Sequence, residues 1–305
     1  MEGVMMRGPH KTATAVRKPD GEIEVKIEEI GTKKHSPIAR LPIIRGCVNF
    51  VDSLVIGMKS LMWSAEFIDI EGDEEEESGK FDRWLEEKLG DKLKDYVIGF
   101  SVVIAIIFSV GLFMILPWLL SLLLGFVTTS NFAITLGEGL LRFAIFIGYL
   151  LLVSQMKDIK RVFEYHGAEH KTIACYEAGE ELTPENVKKY TRLHPRCGTS
   201  FLLFVMIISI LIFFLIPPFD FVSSVILRKL MAIGVRLCLL PIVAGISYEV
   251  IKIAGRSKSK GVALLSKPGL WMQKITTREP DKSQIEVAIA SMKPCIPEDK
   301  EEDKW

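Results

Sequence analysis

The 305 residues are 49% apolar, near the share of ordinary soluble proteins, and their 38 basic and 38 acidic side chains cancel. That balance excludes a global field drawing the chain to nucleic acid, so no nucleic-acid partner is expected. No apolar run follows a basic start in the first forty residues, which argues against a secretory signal, and five cysteines, an odd number, argue against a disulfide framework.

The distribution is more telling than the totals. Apolar residues collect in four blocks, while charges crowd the two ends and one middle loop, the partitioning expected of a membrane protein.

Residues 1–35 hold two alternating runs, 13–18 and 22–27, around Pro19-Asp20-Gly21 and predict a β-hairpin. Residues 36–70 mix apolar side chains with Arg45, Asp52 and Lys59 at helical spacing. They are too polar to span cleanly and predict an interfacial or re-entrant amphipathic helix. Residues 71–95 read as an acidic, then mixed-charge, solvated linker and a juxtamembrane helix.

Residues 96–156 predict transmembrane helices 1 and 2. The first runs from Tyr96 without a charge well past the roughly 20 residues that cross a bilayer core, and Pro117 is expected to kink or end it. The second holds Glu138 and Arg142, four residues apart on one face, where a mutual pair hidden from lipid is the natural solution. Residues 157–199 form a loop, and 200–253 predict helices 3 and 4. The third block, 201–219, reads as the cleanest span. The fourth carries Arg236, Pro241 and Glu249, which imply packing against other helices.

Residues 254–305 complete the chain with a final helix capped by Asp281 or Ser283 and packed on the hairpin. The fold expected is thus a predominantly α-helical polytopic membrane protein, about four transmembrane helices with a small α+β cytoplasmic cap. Lys80, Arg83, Lys88, Lys92 and Lys94 precede the first span, Lys157, Lys160 and Arg161 follow the second, and Lys252, Arg256, Lys258 and Lys260 follow the fourth. They place both termini and the middle loop in the cytoplasm of a multi-pass inner-membrane protein, with membrane lipid as its partner.

The middle loop carries the chemistry, with three of five histidines and two of five cysteines inside residues 164–199. A proline-free helix stopping at Ala178-Gly179 projects His166 and His170 from one face, one turn apart, where two imidazoles can share a metal ion. Glu169 lies at the edge of that face. The spelling His-x-x-Glu-His resembles the inverzincin protease motif, in which the carboxylate activates water at the metal. His194 and Cys197, held by Pro195 and Gly198, return through a short helix near Thr183-Pro184 and complete a four-ligand site for a divalent metal, zinc by donor type.

Four protein ligands suit a structural metal, whereas His166, His170 and His194 without Cys197 leave a position for water and hydrolysis. The plain alternative is a set of histidines that cap helices or bond headgroups. Cys175, about 140° around the helix from His170, is expected to pack rather than ligate. Arg196 and Lys171 are candidates for contact with an anionic substrate or lipid phosphate, or simple interface anchors. Glu138, Arg142, Arg236 and Glu249 line a polar pathway or pair structurally.

Glu2-Gly3-Val4-Met5-Met6-Arg7-Gly8-Pro9, Pro42-Ile43-Ile44-Arg45-Gly46, the segment from His166 to Lys171, His194-Pro195-Arg196-Cys197-Gly198-Thr199 and the run from Gly269 to Pro280 together resemble the YqhQ-like bacterial membrane proteins, over nearly the whole chain. The resemblance implies an integral membrane protein and a metal-dependent enzyme, and supplies no substrate. Such proteins carry a short Gly-rich lead before the Glu2 stretch, so Met1 is expected to be internal to a longer chain.

Three functions follow as expectations: a metal-dependent hydrolase acting on a peptide or lipid ester at the membrane, a non-enzymatic scaffold or assembly factor with a structural metal, and a lipid or ion transporter. Four spans are few for transport unless the protein is a homo-oligomer.

Overall fold

Strand-forming residues open the chain. β1 (Gly3–Arg7), β2 (Lys11–Arg17) and β3 (Ile23–Glu29) form an antiparallel sheet in the order β1-β2-β3, with Met5 opposite Thr14 and Ala13 opposite Ile27. The hairpin expected around Pro19-Asp20-Gly21 is its β2–β3 half. Gly21 there adopts φ 89°, a left-handed conformation open to glycine, and Asp20 accepts the Glu22 N–H. β1 is the addition, and it makes β2 a central strand whose residues from Thr12 to Val16 are all buried.

The computed structural model describes residues 2–30, 39, 41–67, 93–195, 197–216, 219, 221–256 and 260–299. The linker expected over 71–95 lies almost wholly outside them, as does Arg196. The helices are α1 (Ile44–Ala65), α2 (Leu93–Val110), a π-helical turn (Gly111–Ile115), α3 (Leu116–Leu124), α4 (Asn131–Val153), α5 (Lys157–Glu177), α6 (Pro184–Val187), α7 (Gly198–Phe214), α8 (Val225–Arg256), α9 (Lys260–Thr276) and α10 (Lys282–Met292). The chain is mostly helical and divides into two units, 1–68 with 150–305, and 69–149.

Among the described residues, three helical stretches are long and apolar enough to cross a membrane: Gly99–Leu124, Phe132–Val153 and Leu230–Ile253. The segment expected to be the cleanest span is the short one. α7 has 17 residues, about 25 Å at the α-helical rise, against a hydrocarbon core of about 30 Å. It stops three residues before Pro217-Pro218 in the sequence, which cannot extend an α-helix.

In the 69–149 unit, Pro117 explains the π turn. Its ring nitrogen has no proton for the carbonyl of Phe113, four residues back, and the helix widens over Gly111–Ile115. Arg142 fills the gap: its Nε donates to the Phe113 oxygen at 2.9 Å and its Nη2 to Glu138 at 3.0 Å. Both Glu138 and Arg142 are buried. They form the expected i,i+4 pair, and they also satisfy a main-chain group that proline leaves open.

The larger unit holds the packed core. α10 and α5 lie against the sheet around Val4, Met6, Ala15, Tyr165, Ala168 and Ile285, and Asp281 caps α10 in a capping box with Gln284. Glu2, at the entry to β1, accepts from Arg161 and from the Tyr165 hydroxyl at 2.8 Å, tying the strand to α5.

α1 crosses α8 where a Cβ on Gly46 would stand 2.9 Å from the Gly245 Cα, so two glycines permit the approach. Arg45 grips Glu249 with two hydrogen bonds there. Ile43, a β-branched residue at φ 70°, is a strained start to α1. Glu249 thus holds α1 in place, while Arg236 lies 5.6 Å over the Phe213 ring. Each of the ionisable residues considered for a polar pathway has a local partner.

Candidate functional site

α5 presents His166, Glu169 and His170 at i, i+3 and i+4, and it ends where Gly179 turns left-handed at φ 75°. What converts this face into a site is the chain laid against it. The Arg278 N–H donates to the Phe163 carbonyl at 2.8 Å, and a Cβ on Gly167 would meet the Arg278 oxygen at 1.9 Å, so glycine is required at that contact. The close approach brings the Thr276 carbonyl to 2.8 Å from His166 Nδ1.

A second main-chain group meets His170: the Arg192 carbonyl stands 2.6 Å from its Nδ1. A carbonyl only accepts, so in both rings Nδ1 carries the proton and Nε2 faces the other way. His166 Nε2 lies 3.2 Å from Cys197 Sγ, and His166, His170 and Cys197 each offer a donor atom within 4.8 Å of the other two.

The loop bearing His194 and Cys197 is held by Gln273. This fully buried amide accepts from the His194 N–H at 2.8 Å and donates to the His194 carbonyl at 2.8 Å and to Ser200 Oγ at 3.1 Å. Cys197 caps α7, its sulfur accepting from the Thr199 N–H. His194 stands beside the trio rather than in it. Its ring centroid is 5.8 Å from that of His170, and its Nε2 lies 3.3 Å from Glu177.

The electrostatics follow from this crowding. Burial pushes the Cys197 thiol up, but hydrogen bonds from His166 and His170 outweigh it and hold the pKa at about 5. Burial alone would lower His166, yet the bond to Cys197 and the charge of Glu169 raise it to about 9. At neutral pH the two form a thiolate–imidazolium pair. Burial raises the Glu169 carboxyl against the pull of the surrounding histidines.

Two imidazole nitrogens and a thiolate are a donor set that suits zinc. Zinc–ligand bonds of roughly 2.0–2.3 Å in tetrahedral array put donors about 3.5 Å apart, close to the 3.2 Å of the His166–Cys197 contact. The residues therefore fit a divalent metal, and the carbonyl locks on both Nδ1 atoms are the support that metal-ligating histidines take.

Glu169 lines the same cavity of about 910 Å³ as His166, His170, His194 and Cys197. Lys171 does not. It is buried and bonded to Glu279 at 2.8 Å and to the Lys188 carbonyl, so it braces α5 instead of facing a ligand. Cys175 packs in the core, fully buried. The sequence reading missed the roles of Gln273 and Thr276, although both sit in a run that carries the family resemblance, and it read Arg7 with Gly3 and Gly8 as a tight turn presenting a cation, where the structure has a strand. Arg7 lines the cavity from β1.

Residues 41–298 match the family described as Protein of unknown function (DUF1385). The chain is also 36% identical over 297 residues to a Bacillus subtilis (strain 168) protein described as Uncharacterized protein YqhQ, covering 95% of this chain and 88% of that one. The chain belongs to this YqhQ-like family. No solved structure matches it. In this YqhQ-like chain the His/Cys cluster joins α5, the residue before α7 and the end of α9, all within the matched residues.

Proposed function

We propose that the chain is a multi-pass protein of the inner membrane in which His166, His170 and Cys197 hold a divalent metal, zinc by donor type, and that it hydrolyses a bond in a substrate at the membrane surface. The observation that carries this reading is the pair of main-chain carbonyls, Thr276 and Arg192, that lock both Nδ1 atoms and leave two Nε2 atoms and one sulfur converging. Zinc held there supplies Lewis acidity and brings the pKa of water toward neutrality.

The chain's own groups do the rest. Three protein donors leave a position open to water, which four would close. Glu169, in the same cavity but outside the trio, would serve as the base that takes a proton from an attacking water and returns it to the leaving group. Three apolar helical stretches support the membrane reading, and the clusters of lysine and arginine beside them support cytoplasmic termini and a cytoplasmic site.

Replacing Glu169 with Gln tests the assignment. Metal content should be unchanged while hydrolysis falls by roughly 10²–10⁴-fold, the usual loss of a general base. A scaffold with a structural metal would keep its function in that variant, and one observation favours this second reading: His194 stands next to the trio and would close the sphere as a fourth ligand. A transport role draws less support, because Glu138 and Arg142 are engaged with each other and with the Phe113 carbonyl.

A further inference from the structure

Among the described residues β1 pairs with β2 alone, which leaves it a free edge. The Arg17 N–H donates to the Glu2 carbonyl and the Gly8 N–H to the Lys11 carbonyl, both at 2.8 Å. Bonded and non-bonded pairs alternate along an antiparallel ladder. Glu2, Val4, Met6 and Gly8 therefore turn their main-chain groups to β2, while Gly3, Met5 and Arg7, opposite Val16, Thr14 and Thr12, turn theirs outward.

That outward edge borders the His/Cys site. Met5 and Arg7 line the same cavity as His166, Glu169, His170 and Cys197, and Gly3 and Met5 line a smaller one of about 310 Å³ with His166 and Glu169. Among the described residues nothing bonds the outward N–H or carbonyl of Met5 or Arg7. An open edge is a template for a further strand. Its donors and acceptors recur every second residue, about 6.6 Å apart, a repeat that an extended peptide matches and a lipid ester does not.

The side chains add a charge. Arg7 is exposed, and among the described residues its guanidinium has no hydrogen-bond or ion-pair partner, whereas Arg17, Arg45, Arg161 and Arg192 each bond a carboxylate or a main-chain carbonyl. A free guanidinium suits a carboxylate, which it holds with two parallel N–H bonds. Ile56, Ile173 and Met292 give the same cavity apolar lining for a neighbouring side chain.

We propose that the substrate is an extended peptide that adds a strand to the outer edge of β1 at Met5 and Arg7, with a carboxylate on the Arg7 guanidinium and a peptide bond set beside His166, Glu169 and Cys197. Cleavage, in which water adds across the C–N bond to leave a carboxylic acid and an amine, rests on the function proposed above. The binding does not.

The test uses the full chain carrying Glu169→Gln, purified in detergent, so that a peptide binds without being cut. It is screened with random hexapeptides acetylated at the amino end, one set amidated at the carboxyl end and one set free there. The tightest binder is then remade with one amide N-methylated at a time. Methylation should weaken binding about fivefold or more at every second residue of the paired stretch, the worth of one hydrogen bond, and leave the residues between unaffected. Met5→Pro removes an outward N–H and no bond to β2, so it should weaken binding similarly, with Met5→Leu unchanged. Arg7→Ala should weaken binding about tenfold or more, the worth of a charge-assisted bond. Dependence on Arg7 in the amidated set assigns the carboxylate to a side chain, and dependence in the free set alone assigns it to the peptide's end.

No hexapeptide binding more tightly than about 1 mM, or a tight binder indifferent to N-methylation at every position, would overturn the proposal. So would equal affinity with and without Arg7→Ala. A zinc-loaded chain that cleaved esters and bound no peptide would sink this inference and spare the hydrolase reading. A protein purified without metal that bound peptides with the two-residue N-methyl pattern would do the reverse.

Discussion

His166 Nδ1 and the main-chain oxygen of Thr276 lie 2.8 Å apart across 110 residues of sequence. The bond fixes the ring's tautomer and its rotation together, so Nε2 has one direction in which to act. It depends on Gly167 admitting the segment that follows α9, and on Gln273 holding the loop on the other side.

Gln273→Ala removes the two bonds to the His194 main chain and the one to Ser200 in a fully buried position. Each orphaned polar group costs about 1–3 kcal/mol, so the unfolding midpoint should drop clearly. Zinc affinity should fall by roughly 10–100-fold, as for other supporting residues of metal sites. Unaltered affinity in a folded Gln273→Ala protein would mean that the loop needs no clamp.

Glu2 gives the cap an acid-sensitive tether. Burial raises its carboxyl, but the bonds from Arg161 and Tyr165 prevail and its folded pKa lies below 4.5. A depressed folded pKa adds stability above the unfolded value, lost as pH falls through the folded one. More than a third of each partner's side chain is exposed, which limits the contribution to about 1 kcal/mol or less. Unfolding followed from pH 7 down to pH 3 should show this loss in the parent, and a flatter profile in Glu2→Gln.

Arg142→Leu takes the cation from a buried carboxylate and the donor from the Phe113 carbonyl. A destabilisation of about 3–5 kcal/mol is expected, the usual result of breaking a buried pair from one side. Thermal aggregation in detergent would report it, and Glu138→Gln added to Arg142→Leu should recover part of the loss. Full stability in the single variant would argue for a pathway residue instead.

Much of this was readable from sequence because it depends on local spacing. The three-residue and four-residue steps from His166 to Glu169 and His170 place them on one helical face, and the same rule paired Glu138 with Arg142. The locks on the histidines were not readable: Thr276 and Arg192 contribute main-chain oxygens, which every residue type carries and no spelling marks. The Gly269 to Pro280 run was recognised for its resemblance while its use, with Gln273 reaching back 79 residues, depends on tertiary packing. β1 was missed because its five residues, rich in methionine, do not alternate polar and apolar. His194 was read as a ligand from its spacing to Cys197; its ring lies next to His170 in the same cavity, with its Nε2 3.3 Å from Glu177.

The most direct test of the central claim is the metal content of the full chain, purified in detergent without chelators, by elemental analysis of the parent and single variants. About one zinc per chain, lost in His166→Ala, His170→Ala and Cys197→Ala and kept in His194→Ala, is the result expected of three donors with an open position. A parent without metal, or a Cys197→Ala variant as fully loaded as the parent, would contradict it.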